Sequence, residues 1–348
     1  MYMPKSEFLF ILKSFLIWRL GVFLIAIFAV KFIPVFSHNY FGGGYSNYIT
    51  NPIFWGHFNF DGEHYLAIAR DGYKPLEYFF FPLFPVLMRY FSNLGGLIIS
   101  NLFFLVALVG LYKLARLDFK EKVVRLTIIL LLVFPTSFYF GMYYTESIFL
   151  ALVVWSFYLF RKRKFLISSI LAALASATKV VGVIMFPPFG LLAYMYYLWK
   201  TTGDPLIFLH QVSIFGQQRS STLILLPQVF YRYVFEILPH VSYSYFPNIF
   251  TTYLEFVCGA LFLFLIIYGF FRLRISYSIY ALAAYLIPTL AGSFSSMPRY
   301  VLVIFPVFIL FASILNKIPK IYRYFVFSVM ILMLVVAESL FWRGYWLS

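Results

Sequence analysis

Apolar residues fall in contiguous blocks, each close to the roughly 20 residues that a membrane-crossing helix needs, from Phe8 almost without pause to Leu340. The first block, Phe8 to Phe36, is too long for the apolar core of a cleaved signal peptide and lacks a small-residue cleavage site, so it reads as a retained first crossing. Further crossings are expected near 95–115, 123–140, 144–160, 222–238, 249–271, 276–291, 299–315 and 321–340, with two shorter helices near 165–181 and 183–199. That makes about eleven, or about nine if 165–199 is one long helix and 222–238 lies on the surface. After the first block the pattern changes. Tyr65, Leu66, Ile68, Ala69 and Tyr73 recur at helical spacing and leave Glu63, His64, Arg70 and Asp71 on the other side, which predicts an amphipathic helix over 61–72. The stretch 79–91 is short and aromatic and carries Pro82 and Pro85, which predicts a second juxtamembrane helix lying on the outer leaflet.

Composition sharpens this picture. At 63 % hydrophobic and 11 % charged residues, with a mean hydropathy of +0.89, the chain has too little polar surface to cover a soluble globule of 348 residues. It reads as one all-α polytopic membrane domain, 1–348, with no separate soluble part. The excess of 27 Lys and Arg over 12 Asp and Glu is gathered into clusters at 113–125, 161–164, 272–274 and 317–323, between apolar blocks. Such clusters are topology signals rather than a nucleic-acid surface. With them and Lys5 in the cytoplasm, the loop 37–92 lies outside, and so do Tyr143–Ser147 and Ser293–Tyr300. Three polar segments from distant parts of the chain thus share one face, as they would around an active site between helices. Cys258 is the sole cysteine, which excludes an intramolecular disulfide and a cysteine-based metal site. Gly42 to Gly44 is read as a flexible loop, since no strand precedes it and no Lys-Ser/Thr follows. The polar stretch that opens at Gly203–Leu206 also holds Gln217, Gln218 and Arg219.

Candidate chemistry starts from the acids. Of the 12, Asp61, Glu63, Asp71 and Glu77 fall in one short stretch beside the membrane, where a carboxylate is costly unless solvated or functional. Asp61 suits a helix N-cap and equally a general base at the membrane surface. Asp61 and Glu63, with His64, could hold a hard divalent cation, although two carboxylates in a loop are a weak signal. Arg299, beside Pro298 and Tyr300, suits interfacial snorkelling or the bidentate gripping of a phosphate. Lys179 stands at a helix break in an apolar stretch and needs an anion or a backbone cage. Arg19 suits snorkelling toward the cytoplasm. Tyr144 and Glu146 suit turn structure or substrate contact, and the aromatic run 78–84 an interface belt or a sugar platform. No nucleotide-binding fingerprint occurs, so an enzyme at the outer face would use a donor already across the membrane, and a lipid-phosphate sugar fits a site of Arg, Lys and carboxylate.

Read as Trp55, then DGEHYLAIARDGY at 61–73 and FFFPLFP at 79–85, the first loop resembles the signature of the GPI mannosyltransferase II (PIG-V) family and its prokaryotic relatives, within the GT-C membrane glycosyltransferases. YTES at 144–147, ATKVVGV at 177–183, GDPLIF at 203–208 and SMPRY at 296–300 follow in that family's order, so the resemblance covers most of the chain. It implies a GT-C fold and an inverting transfer of a hexose, mannose above all, from a polyprenyl-phosphate donor to a glycolipid or other extracytoplasmic acceptor in a prokaryotic plasma membrane. It implies Asp61 as base, with Glu63, His64, Arg70, Tyr144, Glu146, Lys179 and Arg299 binding substrate. Many relatives carry Asp directly after the Trp or beside a second acid, whereas Gly62 follows Asp61 here, which leaves metal dependence open. The competing expectations are a GT-C enzyme for another sugar or a protein acceptor, and a lipid or glycan transporter. A transporter would place paired ionisable groups near the midplane in broken helices.

Overall fold

The computed structural model describes residues 3–36, 41–185, 187–211, 220 and 223–347. The expected Gln217, Gln218 and Arg219, and the first residues of the loop 37–92, lie outside them. The described chain is helical with no strand: α1 (Lys5–Phe32), α2 (Tyr45–Thr50), α3 (Pro52–Trp55), α4 (Asp61–Asp71), α5 (Leu83–Met88), α6 (Asn93–Ala115), α7 (Glu121–Val133), α8 (Glu146–Arg161), α9 (Phe165–Ser176), α10 (Phe189–Thr202), α11 (Ile207–His210), α12 (Leu226–Tyr231), α13 (Phe246–Gly269), α14 (Ile275–Thr289), α15 (Met297–Tyr300), α16 (Phe305–Lys317) and α17 (Lys320–Trp342). Among these, α1, α6, α13 and α17 are long and apolar enough to cross a bilayer, and a fifth crossing results if the helical segments on either side of Ile304, bent by 85°, count together. The chain is an all-α multi-pass membrane protein.

The other apolar helices stop short of the expected lengths, at 12 to 16 residues for α7 to α10, α14 and α16. Proline lies at one end of four of these six. Pro135 follows α7, Pro188 precedes α10, Pro288 sits in the last turn of α14 and Pro306 opens α16. Each removes a backbone donor and crowds the preceding turn, so apolar composition outruns helix length. The crossing expected at 222–238 does not form. Its place is taken by α12, a π-helical turn at Arg232–Ile237 and a 3₁₀ turn at Leu238–His240, with Pro227 and Pro239 near the two ends. The helix expected over 79–91 is likewise only α5, six residues long. One face of it is docked on the bundle: Phe84 and Met88 are buried, and the Leu83 N–H donates to the Ala177 carbonyl at 2.9 Å.

The centre of the bundle is α8, in which every residue from Glu146 to Val154 is buried. On one side lies α6, close enough that a Cβ on Gly110 would stand 2.7 Å from Trp155 Nε1. On the other lies α9, joined by reciprocal bonds from Ser156 Oγ to the Ser168 carbonyl at 2.9 Å and from Ser168 Oγ to the Ser156 carbonyl at 2.8 Å. Small residues and interhelical hydroxyls are how helices adhere where lipid removes the hydrophobic driving force. The basic clusters gather at one end of α8. Arg125 pairs with Glu7, and Asp118 accepts from Arg161 at 2.6 Å and from Arg274 at 2.8 Å. Glu146 begins the opposite end, about 24 Å away at 1.5 Å per residue, and there the three polar segments meet.

Candidate functional site

Asp61 is the first residue of α4, and Phe60, before it, takes the capping position with no side-chain capping bond. The N-cap reading is therefore corrected. The Asp61 carboxylate instead accepts from Arg299 Nη1 at 2.5 Å, across 238 residues of sequence. Arg299 belongs to α15 and is buried among the rings of Tyr139, Tyr144 and Tyr300, each centred 5.5 Å from its guanidinium carbon, a cation–π setting. Its Nε lies 3.8 Å from Glu146 Oε1, and that same oxygen accepts from Lys179 Nζ at 2.5 Å. Two carboxylates and two cations thus form one chain of contacts with no formal net charge. Both acids also lie in the first turns of their helices, α4 and α8, where the helix dipole favours a negative charge.

Local backbone places Lys179. After α9 the chain turns extended at Lys179 and tightens into a 3₁₀ turn at Val180–Ile184. Gly182 allows that turn to press on α9, for a Cβ there would lie 2.3 Å from the Ala175 carbonyl oxygen. The ATKVVGV stretch therefore delivers a lysine from a backbone crossing that admits no side chain at its sixth position.

The four charges, in contact with one another, line a cavity of about 320 Å³. Ser293, Ser295 and Thr178 add hydroxyls, while Phe79, Phe80, Phe81, Phe208, Leu223 and Ile287 are part of a largely apolar remaining wall. The aromatic run of the first loop is thus cavity wall, with Phe80 and Phe81 buried, rather than an interface belt. Burial and the neighbouring Asp61 and Glu146 charges push the Tyr65 phenol well above its ordinary range, so at neutral pH it stays a protonated hydroxyl, 3.5 Å from Thr145 Oγ1.

Of the residues singled out from sequence, Asp61, Glu146, Lys179 and Arg299 come together. Tyr144 stands directly behind them, its hydroxyl donating to the Asn59 carbonyl at 2.7 Å. Glu63, His64 and Arg70 do not line this cavity. Arg70 is exposed and pairs with Asp71 at 2.8 Å, holding that carboxyl down at about 2. His64 stacks on Phe80 at 4.7 Å, supporting the wall from outside. Glu63 is half-buried, and desolvation raises its carboxyl above the usual range. Among the described residues no three His, Cys, Asp or Glu side chains converge, and the charge beside Asp61 is a guanidinium, so Asp61 and Glu63 do not make a cation cage.

Two groups behind the site escaped the sequence reading. Glu255, on α13, accepts from Tyr233 Oη at 2.8 Å and from the Ser296 N–H at 3.2 Å, at the turn that leads to Arg299. Its signal was available, since a lone acid in a 24-residue apolar helix is expensive without a role. His57 meets Arg19 Nη2 at 2.8 Å and lies edge-on to Trp342, and it offered no comparable signal. Compared with protein-family models, curated proteins and solved structures, the chain matches none.

Proposed function

We propose that this chain is a membrane glycosyltransferase of the GT-C type, similar to GPI mannosyltransferase II, with its shorter apolar helices as further crossings and its site on the extracytoplasmic face of a prokaryotic plasma membrane. It moves a hexose, mannose above all, from a polyprenyl-phosphate sugar to a hydroxyl of a glycolipid or another glycan. The observation that carries the reading is the Asp61–Arg299 pair in a cluster of charges that lines a largely apolar cavity. A polyprenyl-phosphate sugar has the same division: an isoprenoid chain for the aromatic and aliphatic wall, then a phosphodiester and a sugar for the charged cluster.

In this mechanism the donor phosphate enters beside Arg299 and Lys179, and the planar guanidinium fork serves phosphate and carboxylate together. The added anion weakens the hold of Arg299 on Asp61 and frees that carboxylate to take a proton. The acceptor hydroxyl oxygen attacks the anomeric carbon from the face opposite the phosphate, and its proton passes to Asp61. The bond from the anomeric carbon to the phosphate oxygen breaks, the configuration inverts, and polyprenyl phosphate leaves with its developing charge on Arg299 and Lys179. The buried tyrosines hold Arg299 in place and exclude water that would otherwise intercept the sugar.

The test incubates the purified chain with radiolabelled polyprenyl-phosphate mannose and a membrane lipid extract, then separates the lipids. Label is expected to move to a new species with the native chain and to stay on the donor with Asp61→Asn at equal folded amount. Transfer by Asp61→Asn at the native rate would remove Asp61 as base.

A further inference from the structure

Among the described residues only three that are not glycine have a positive φ: Phe60 at 56°, Arg163 at 59° and Ser296 at 64°. Two of them adjoin the ion pair. Phe60 directly precedes Asp61, and Ser296 opens the turn of α15 that carries Arg299. Such backbone is strained and persists only where its surroundings over-determine it. A glycine would adopt either turn without that strain.

The surroundings of both turns can be named. The Phe60 ring is seated on Phe341 at 5.5 Å and edge-on to Trp346 at 5.3 Å, both beyond or at the C-terminal end of α17. Asn59 Nδ2 donates to the Phe341 carbonyl at 3.0 Å, and the Gly62 N–H closes the turn onto the Asn59 carbonyl at 3.2 Å. Ser296 is held from α13, where Glu255 Oε1 accepts its N–H while Oε2 takes the Tyr233 hydroxyl. The acid is thus aimed from the last helix and the residues after it, and the arginine from α13; the two anchors meet where Thr251 Oγ1 of α13 donates to the Trp346 carbonyl at 3.2 Å.

We infer that Phe60 and Glu255 are positioning residues. Each locks one strained turn, and together they fix the approach of Asp61 to Arg299 before any ligand arrives. The structural part stands alone; its consequence for turnover rests on the glycosyl-transfer reading.

The test uses the full chain in detergent and measures unfolding midpoints for Asp61→Asn, Arg299→Gln and the double variant, whose departure from additivity reports their coupling. The cycle is repeated in the Phe60→Gly and Glu255→Gln backgrounds. The coupling is expected to drop to about half or less in each background and to survive in Phe60→Tyr, which keeps the ring. An undiminished coupling in both backgrounds overturns the inference. If Phe60→Gly does not fold, Trp346→Leu replaces it, since it removes the edge-on contact and leaves the turn sequence intact. On turnover, Phe60→Gly and Glu255→Gln are expected to lower kcat roughly ten- to a hundredfold, the rate equivalent of a few kcal/mol, with KM for the lipid donor nearly unchanged. An unchanged kcat per folded molecule would mean a packing role only and would overturn it. If the native chain moves no sugar, the functional reading fails, while the coupling measurement still decides the positioning role.

Discussion

Lys179 and Glu146 meet at 2.5 Å in a region where the carboxylate is 1 % and the lysine side chain 12 % exposed. The same Glu146 oxygen faces Arg299 at 3.8 Å, so one buried acid stands between two cations. Attraction repays the desolvation of such groups only while each keeps its partner.

Glu146→Gln leaves two cations against Asp61 alone. Breaking a buried pair from one side costs about 3–5 kcal/mol, so the unfolding midpoint is expected to fall sharply. Adding Lys179→Met removes the stranded ammonium and is expected to restore part of the loss. A double variant no more stable than Glu146→Gln would show that the two side chains do not depend on each other.

Arg299→Lys keeps the charge and loses the planar fork, so one ammonium must choose between Asp61 and Glu146. Sugar transfer is expected to fall by about two orders of magnitude, with a higher KM for the lipid donor. Initial rates across donor concentrations measure both. A lower kcat at unchanged KM would take the phosphate away from Arg299.

Gly182→Ala is expected to destabilise by about 1–3 kcal/mol, because its Cβ meets backbone that can yield only by moving. The displacement would carry Lys179 with it. Gly21→Ala in α1, with nothing within 4 Å of the added carbon, is the control and is expected to hold the native midpoint. Equal midpoints for the two variants in thermal unfolding would refute the close crossing.

Acid is expected to destabilise the fold through His57. Burial first, then the Arg19 charge, lower its pKa to about 3. An unfolded histidine takes its proton near the ordinary value of about 6.5. The stability tied to the neutral ring is therefore complete above 6.5 and drains away as pH falls toward 3, by about 2 kcal/mol at pH 5. Unfolding midpoints at pH 7.5 and 5 measure it, and the difference is expected to shrink in His57→Asn. An unaltered pH dependence in that variant would place the acid sensitivity elsewhere.

Much of the scaffold was legible because it is a local property. α1, α6, α13 and α17 lie where contiguous apolar blocks placed them, and the 3.6-residue spacing from Tyr65 to Ala69 marked the buried face of α4. Prolines then shortened the helices between, a local cue that hydropathy alone outweighed. The candidate site was legible as three polar segments sharing an end, with Asp61, Glu146, Lys179 and Arg299 among the residues singled out, but not as a set of contacts. In the sequence Glu63, His64 and Arg70 look as able as Asp61, and the turn at Phe60 together with the pitch of α4 sends Asp61 into the cavity and the others to its flank or to solvent.

What the sequence determined by itself is therefore membership of the membrane and the separation of a basic end from a polar one of mixed charge. Both follow from the transfer free energy of each segment, which a residue contributes wherever its partners are. The tertiary structure alone decided that Asp61 faces Arg299 and that Glu146 faces Lys179. A charge in a poorly polar interior is tolerable only beside its opposite, and that opposite comes from whichever distant helix packing brings alongside.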